Sequence, residues 1–368
     1  MGPGSIGRSN LDGSLANQSF ITGTANPSGI AVDGQHIYWV NVVSETIGRA
    51  NLDGTEPNQS LIAGLSSPEG VAVDGQHVYW ADRITGAIGR ANLDGSDVNQ
   101  NFIVGPDSPQ GVAVDGQHVY WTTLFDGTIG RANLDGSEPN DNFITGASAP
   151  EGLAVDGQHV YWANLVGNTI GRANLDGSGV NQSFIAAPNA YGLAVDGQHL
   201  YWSSSGNTIS RANLDGSEVN LSFIAGANGP QGVAVDGQHV YWANSNSFIG
   251  RSELDGTLAN QGFLATASRG FGVAVDSGAP SSSTDITKAK IKSKKGKATF
   301  TFEATDAPDG FECKLKRKKH KKPAAEFSDC TSPKTYKQLK RGTYTFTVQA
   351  VVADGQDPQP AKSKFEIK

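Results

Sequence analysis

The stretch Gly70-Val-Ala-Val-Asp-Gly-Gln-His-Val-Tyr-Trp80, followed by Ile88-Gly-Arg-Ala-Asn-Leu-Asp-Gly95, decides the fold because it recurs along most of the chain. Leu-Asp-Gly and Ala-Val-Asp each occur seven times. Tyr-Trp pairs occur 40 or 41 residues apart, at 38–39, 79–80, 120–121, 161–162, 201–202 and 241–242. A repeat of this length predicts units that each bury a core against their neighbours.

Each repeat is interpreted as four short strands, which we call a, b, c and d. In one repeat they are residues 70–73, 77–80, 88–93 and 101–104, rich in β-branched and aromatic side chains. Asp-Gly turns follow the first and third strands, as expected for tight hairpins. Four strands in about forty residues predict one blade of a β-propeller, so we expect an all-β propeller domain over residues 1–276.

The Tyr-Trp strand, the Leu-Asp-Gly turn and the Pro-x-Gly-Val-Ala-Val-Asp entry resemble the YWTD repeats (class B) of the low-density lipoprotein receptor family. The resemblance covers residues 5–276, and a looser one extends to NHL-repeat and streptogramin-lyase propellers. The Thr-Asp that follows Tyr-Trp in the family is mostly absent here, and only Ala81-Asp82 comes near it. The resemblance therefore implies the fold rather than the ligands of the receptors.

The strand count predicts seven blades. Strands a, c and d occur seven times and strand b six times, since the chain begins with strands c and d (roughly 5–9 and 18–22) and ends its repeats with strand a (271–275). Joining these ends gives a composite seventh blade without strand b. Six blades, as in the receptor propellers, with a spare segment is the alternative. Because the chain starts inside a motif, we interpret it as a fragment or a late-assigned start.

Composition and motifs disfavour catalysis, metals and nucleic acid. Six of seven His residues occupy the same Gly-Gln-His turn position in successive repeats, which favours a structural role. The sequence has no Gly-x-Ser-x-Gly motif and no calcium-loop pattern, so we expect no cofactor and no metal, with calcium at the Asp-Gly turns as the alternative. Residues 1–284 carry nine Arg and no Lys against 26 acidic residues, a net charge of −17 that would repel nucleic acid. A lyase or hydrolase of propeller type remains the alternative to a binding or adhesion module, as does a purely structural protein.

The loops between strands b and c and between d and a differ in every repeat, whereas the other turns are nearly constant. Binding residues concentrate on variable loops of rigid scaffolds, so we expect a protein or glycan ligand on that face. The alternative is that these loop sequences vary without any role in binding. The candidate ligand-binding residues precede the Gly of strand a or lie in the b–c loops: Glu69, Gln110, Glu151, Tyr191, Gln231, Phe271, Asp82, Arg83, Phe125 and Asn164.

A second domain is predicted at residues 288–368, after a linker at 277–287. Residues 285–368 hold 18 Lys and two Arg against ten acidic residues, a net charge of +10. Alternating strands at 298–302, 311–315, 343–350 and 364–368 predict a small β-sandwich, which resembles bacterial immunoglobulin-like modules. One loop is strongly basic and is a candidate patch for an anionic cell-wall polymer, with a solvated hairpin as the alternative: Lys316, Arg317, Lys318, Lys319, Lys321 and Lys322.

Cys313 and Cys330 are the only cysteines and flank a predicted hairpin. We expect a disulfide between them rather than a pair of buried thiols, and hence an extracellular or cell-surface location. The first residues lack the features of a signal peptide, and no apolar run is long enough to span a membrane. A leader would then have been lost with the missing N-terminus. We expect a monomer.

Overall fold

The computed structural model describes residues 4–266, 271–275, 284–304, 310–317, 328–352, 355–356 and 361–368. The chain divides into two compact units, Met1–Val275 and Asp276–Lys368. Strands dominate both, and the one helical segment in these ranges is a 3-10 turn, Ser293–Lys295. The prediction of an all-β chain is confirmed.

The first unit begins with a two-stranded antiparallel sheet, β1 (Gly4–Arg8) and β2 (Asn17–Thr24), and continues with six antiparallel sheets of four strands. These six sheets are complete blades with strands in the order a, b, c, d: blade 1, β3 (Pro27–Val32), β4 (His36–Asn41), β5 (Thr46–Asn51), β6 (Asn58–Ile62); blade 2, β7 (Pro68–Val73), β8 (His77–Asp82), β9 (Ala87–Asn92), β10 (Asn99–Val104); blade 3, β11 (Pro109–Val114), β12 (His118–Thr123), β13 (Thr128–Asn133), β14 (Asn140–Thr145); blade 4, β15 (Pro150–Val155), β16 (His159–Asn164), β17 (Thr169–Asn174), β18 (Asn181–Ala186); blade 5, β19 (Ala190–Val195), β20 (His199–Ser204), β21 (Thr208–Asn213), β22 (Asn220–Ala225); blade 6, β23 (Val233–Val235), β24 (His239–Asn244), β25 (Phe248–Glu253), β26 (Asn260–Ala265).

Strand b is the core of every complete blade. In blade 2, Tyr79 and Trp80 are fully buried. The indole of Trp80 covers Gly89 of strand c so closely that a Cβ at Gly89 would lie 2.1 Å from the ring and would force it to shift. The Tyr79 hydroxyl donates to Asp74 Oδ2 at 3.0 Å, so the repeated Asp fixes the strand end. The repeat motif thus encodes one packing unit: an aromatic pair, the glycine that admits it and the carboxylate that satisfies its hydroxyl.

The repeated arginine of strand c joins each blade to the next. The Arg90 guanidinium lies 4.2 Å from the ring centroid of Phe102 in its own blade and donates to the carbonyl of Leu134 in the following blade at 2.8 Å. The acceptor is a backbone carbonyl rather than a carboxylate, because the turn of the next blade presents its Leu carbonyl there.

Seven inner segments close into a ring. Residues 271–275 lie between strands a of blades 6 and 1: the Phe271 carbonyl accepts from Gly232 N at 2.9 Å, and a Cβ at Gly272 would meet the Ser28 carbonyl at 2.5 Å. They form no regular strand, since no strand b pairs with them in the described part of this unit.

The sheet of β1 and β2 occupies the outer part of the same blade. The Arg251 side chain of blade 6 donates to the Leu11 carbonyl in the β1–β2 turn, as its counterparts do between complete blades. Phe20 of β2 lies against Gly54 of blade 1. The prediction of seven blades, with a composite blade that joins both ends of the repeat region, is confirmed.

The second unit contains two sheets around one core. The strands are β27 (Thr284–Lys292), β28 (Lys297–Ala304), β29 (Gly310–Arg317), β30 (Ser328–Cys330), β31 (Lys334–Tyr336), β32 (Gly342–Val352), β33 (Gly355–Gln356) and β34 (Ala361–Ile367). One sheet has the order β27-β28-β31, and the other has β30-β29-β32-β33 with β34 also on β32. Phe300 of the first sheet stacks on Phe346 of the second with centroids 4.1 Å apart. The immunoglobulin-like assignment stays a prediction.

A disulfide joins Cys313 and Cys330, whose Cα atoms are 5.8 Å apart, so this prediction is confirmed. In the basic loop, Lys316 is exposed, and Arg317 donates to the Arg341 carbonyl beside the Tyr344 ring. Residues 318–322 of the candidate patch and 277–283 of the expected linker lie outside the described residues, while residues 284–287 belong to β27. Among the described residues, no helix has the length and apolar character needed to span a bilayer.

Candidate functional site

The b–c and d–a loops share one face of the propeller, which we call the loop face. In blade 2, Pro68 at the start of strand a pairs with Asp82 at the end of strand b, and Arg83 N donates to the Ser67 carbonyl at 3.0 Å. The a–b and c–d turns lie at the other ends of these strands, on what we call the turn face. The variable and the constant parts of the repeat are therefore on opposite faces.

The turn face carries the six repeated histidines in a structural setting. His36 N donates to Asp33 Oδ1 at 2.6 Å, and its ring Nδ1 lies 3.4 Å from Asp33 Oδ2. The same backbone contact recurs in the other five complete blades. One histidine per blade, each fixed by its own turn, cannot converge on a substrate. Nor does any group of three or more His, Cys, Asp or Glu in the described ranges have an arrangement that could hold a metal.

Seven half-buried residues form a ring on the loop face, which we call the mouth ring. Each precedes the Gly of an inner segment, and its carbonyl packs against the corresponding Gly of the preceding blade, where a Cβ would meet it. The glycines are needed because the inner segments approach so closely. The ring contains six of the ten predicted ligand residues and Ser28: Ser28, Glu69, Gln110, Glu151, Tyr191, Gln231 and Phe271.

The two acids of the mouth ring are electrostatically perturbed. Burial raises the pKa of Glu69 above its usual 4.5, and the charge of Arg83 opposes the shift. The Arg83 Nη1 and Glu69 Oε1 atoms are 3.8 Å apart. Burial also raises the pKa of Glu151, and the charge of Glu69, two blades away, raises it further. A cationic group at the mouth ring would thus offset the desolvation of the two carboxylates and the repulsion between them.

The remaining predicted residues differ in accessibility. Arg83 and Phe125 are exposed on the loop face. Asp82 and Asn164 are 3% and 1% exposed, and each accepts a backbone N–H that fixes the preceding d–a loop, Asp82 from Ser66 at 2.7 Å and Asn164 from Ser148 at 2.9 Å. Asn41 and Asn244 fill the same role in blades 1 and 6. Asp82 and Asn164 therefore lie beneath the surface that we consider for ligand binding.

Side-chain exposure reveals an apolar feature that comparison of the repeat sequences missed. The fourth residue after Trp is large, apolar and about 70% exposed in four successive blades: Val43 at 70%, Ile84 at 73%, Phe125 at 69% and Val166 at 71%. We call these four the apolar arc. Blades 5 and 6 have Gly206 and Asn246 at this position. Counting loop positions from Trp, instead of treating the loops as unaligned, would have revealed the pattern.

Comparison with known proteins is consistent with this architecture. Residues 35–74 and 76–115 match the family model described as low-density lipoprotein receptor repeat class B. Similar solved structures include a nidogen/laminin complex, at 22% identity over 65% of this chain and 96% of that one, with a TM-score of 0.50. A streptogramin B lyase shares 18% identity over 68% of this chain and 87% of its own, with a TM-score of 0.55.

A third similar structure is a catalytically inactive variant of virginiamycin B lyase from Staphylococcus aureus with quinupristin. It shares 16% identity over 82% of this chain and 96% of its own, with a TM-score of 0.55. At these identities the likenesses show the propeller fold alone. A search of curated protein sequences found no match.

Proposed function

We propose that this chain, whose propeller contains low-density lipoprotein receptor class B repeats, is a non-enzymatic extracellular binding module that holds a protein ligand on its loop face. The observation that carries the proposal is the division of the propeller into a constant turn face and an individual loop face with an exposed apolar arc. Exposed apolar side chains that recur on one face of a rigid scaffold are candidates for a protein interaction site.

Binding is favoured over catalysis by the residues present on the loop face. The mouth ring offers two acids, two glutamines, a serine and two aromatics, and its acids are held apart by two blades. The propeller histidines, which could act as general bases, are all tied to turns of the opposite face. A lyase-like fold is shared with the streptogramin lyases, but among the described residues of this face no pairing of acid and base favours that chemistry.

The expected partner presents apolar side chains beside a basic group. The four members of the apolar arc would pack against the former, and Glu69 and Glu151 would receive the latter. The net charge of −17 over residues 1–284 would steer a basic partner toward the propeller. A glycan ligand, the alternative within the same class of function, would use Tyr191 and Phe271 as stacking surfaces and the two glutamines as hydrogen-bond partners.

An array of secreted proteins and glycans, probed with the whole chain, tests this proposal. Phe125→Ser should weaken a genuine protein ligand about tenfold, since exposed aromatic anchors dominate such interfaces. Leu258→Asn is the matched control, because Leu258 is 78% exposed but lies in a c–d turn of the opposite face. Ligands that survive Phe125→Ser and are lost with Leu258→Asn would place binding on the turn face and refute the proposal.

The second unit supports an extracellular setting and an anionic surface as its contact. Disulfides persist in oxidising compartments, and residues 285–368 have a net charge of +10. We propose that this unit associates with a cell-wall polyanion. Replacement of the six basic residues between 316 and 322 by Ser should abolish salt-sensitive binding of the chain to teichoic acid, while the same number of Lys→Ser changes at 288–297 should reduce it less. Equal losses would show that net charge alone, rather than this loop, is responsible.

A further inference from the structure

A glutamine of strand d links each of four blades to the blade before it. Its side-chain Nε2 donates to a backbone carbonyl at the end of the preceding strand d, at 2.6–3.0 Å. In three of these blades its Oε1 also accepts from the Nε1 of the buried Trp. The donors are Gln59, Gln100, Gln182 and Gln261, and the acceptors are the carbonyls of Thr22, Ala63, Thr145 and Ala225.

Blade 3 has an acid, Asp141, at this position. Donor and acceptor are 37 residues apart in three of the linked blades, and the same spacing gives Asp141 the Val104 carbonyl as its counterpart acceptor. A Cβ at Gly105 would meet Asp141 Oδ2 at 2.7 Å, whereas at Gly64 and Gly146 it would meet the Nε2 of the linking Gln at 3.6 and 3.9 Å. A carboxyl oxygen therefore lies where other junctions have an N–H donor. Asp141 Oδ1 is buried and has no hydrogen-bond partner among the described residues.

The d–a loop at this junction, residues 105–108, is anchored by a longer hydrogen bond than its counterparts. Leu65 N and Ala147 N hold two other d–a loops by donating to a b–c loop carbonyl at 3.2 and 2.9 Å. Here the equivalent residue is Pro106, which has no N–H. Gly105 N donates instead, at 3.3 Å, and its φ is 127° where the corresponding glycines of four other loops have 76–80°. The junction between blades 2 and 3 thus differs from the others in two of its contacts.

The surroundings of Asp141 favour its protonated form. Burial raises the pKa of Asp141 above 3.8, the N–H of Trp121 partly opposes this shift, and the charge of Asp126 in the b–c loop of the same blade raises the pKa further. Asp107, in the adjoining d–a loop, is another exposed acid. The arginines of the strands c in blades 2 and 3 donate to backbone carbonyls of the blades that follow their own: Arg90 and Arg131.

We propose that Asp141 is a proton-dependent link between blades 2 and 3. As a carboxylic acid it donates from Oδ2 to the Val104 carbonyl, as the repeated Gln does at four other junctions. As a carboxylate it has acceptor oxygens only, so it repels that carbonyl and the 105–108 loop loses this contact. The proton is exchanged with solvent.

The 105–108 loop contacts both groups of residues that define the loop face. Ser108 Oγ accepts from Arg83 Nε at 3.2 Å, and Arg83 is the ionic partner of Glu69 in the mouth ring. The Ser108 carbonyl accepts at 3.4 Å from the N–H of the residue before Phe125 of the apolar arc. Closing of the link at acidic pH therefore stiffens this part of the loop face. An effect on ligand binding rests on the proposed function, whereas the link itself requires no ligand.

Amide hydrogen exchange of the whole chain without ligand measures the link, with protection factors that are corrected for the intrinsic pH dependence of exchange. Protection of the fragment that contains residues 105–108 should rise at least about threefold between about pH 7 and about pH 4, since the link forms as the pH falls through the raised pKa of Asp141. The fragment that contains residues 64–67 is the internal control, because its junction carries the pH-independent link of Gln100. Its protection should change by less than about twofold.

Two substitutions taken from other junctions of the same propeller bracket the expected effect. Asp141→Gln restores the side chain of the four linked blades and should give high protection of residues 105–108 at both pH values. Asp141→Leu copies Leu221 of blade 5, which cannot donate, and should give low protection at both. A native chain that matches Asp141→Leu at both pH values, or a pH response that Asp141→Leu retains, would overturn the proposal. So would an increase in protection on addition of Ca²⁺ at about pH 7, because the carboxylate would then hold a cation instead of a proton.

Discussion

The buried tryptophans of blades 2 and 4 allow a direct measurement of what one hydrogen bond contributes inside this repeat. Trp80 and Trp162 are both fully buried and both cover a glycine of strand c. Trp162 Nε1 donates to Gln182 Oε1 at 2.9 Å, whereas Trp80 Nε1 is buried with no partner among the described residues. Substitution by Phe therefore removes a similar volume at both sites but a satisfied donor at only one.

The expected sizes follow from cavity and hydrogen-bond energetics. Loss of roughly 40 Å³ corresponds to about 1 kcal/mol of cavity free energy, with a transfer loss of about the same size. At Trp162 the lost hydrogen bond adds about 1 kcal/mol, while at Trp80 removal of an unpaired N–H relieves about 1–3 kcal/mol. Trp162→Phe should thus reduce the free energy of unfolding by about 3 kcal/mol, and Trp80→Phe by about 1 kcal/mol or less.

Differential scanning calorimetry of the propeller transition measures this difference. About 2 kcal/mol between the variants corresponds to a difference in Tm of about 5 °C, with Trp162→Phe the lower. Gln182→Leu provides the control, because Leu221 stands at this position in blade 5. Gln182→Leu should lower the free energy of unfolding more when Trp162 is present than when it is made together with Trp162→Phe. Equal Tm values for the two Phe variants, or a lower Tm for Trp80→Phe, would refute the reasoning.

Three further changes give distinct expected outcomes. Glu151→Gln should raise the Tm at pH 7, because burial and the charge of Glu69 raise the pKa of the native carboxyl and make its ionised form destabilising. Below the unfolded pKa of 4.5 the carboxyl is neutral in both states, so thermal scans should show the gain shrinking as the pH falls through the raised native pKa and vanishing below 4.5. Arg131→Lys should lower the free energy of unfolding in urea by about 1–3 kcal/mol, because Lys cannot both stack on the ring of its blade and reach the next blade's carbonyl; an unchanged midpoint would show that the contact between blades contributes nothing. Cys313→Ser with Cys330→Ser opens a loop of 17 residues and should remove about 3 kcal/mol from the second unit, with the propeller transition unmoved in the same calorimetric scan.

The repeat pattern made the propeller predictable from the sequence. Tyr-Trp, Leu-Asp-Gly and Ala-Val-Asp are each tied to one contact, so their spacing determines strand order, and the seven-fold count of strand types determines the composite blade. The acceptor of Arg90 could not be predicted from the sequence, because a backbone carbonyl leaves no trace in composition. Strands β27, β30, β31 and β33 were not anticipated, since they are short or polar and acquire their place only by pairing with longer neighbours.

The candidate site was only partly accessible to sequence reasoning. The mouth ring could be predicted because each member directly precedes a repeated Gly. The burial of Asp82 and Asn164 could not be predicted, since this burial depends on loops that fold back over the end of strand b. The apolar arc required the loops to be aligned by position rather than by similarity. These are differences in packing, which residue type alone does not determine.

Because both ends of the repeat region lie in a single blade, the order in which the chain runs through the blades can be changed by circular permutation. Gly4 and Val275 belong to the same blade, at either side of a strand b position that no described residue fills. A strand b placed between them as a connector would fuse the ends covalently, and the chain could then be opened at any other loop. Circular permutants cut in the c–d turns, where each blade presents the same exposed Asp before a half-buried Gly, would retain the ring while moving the attachment point of the second unit from one blade to another.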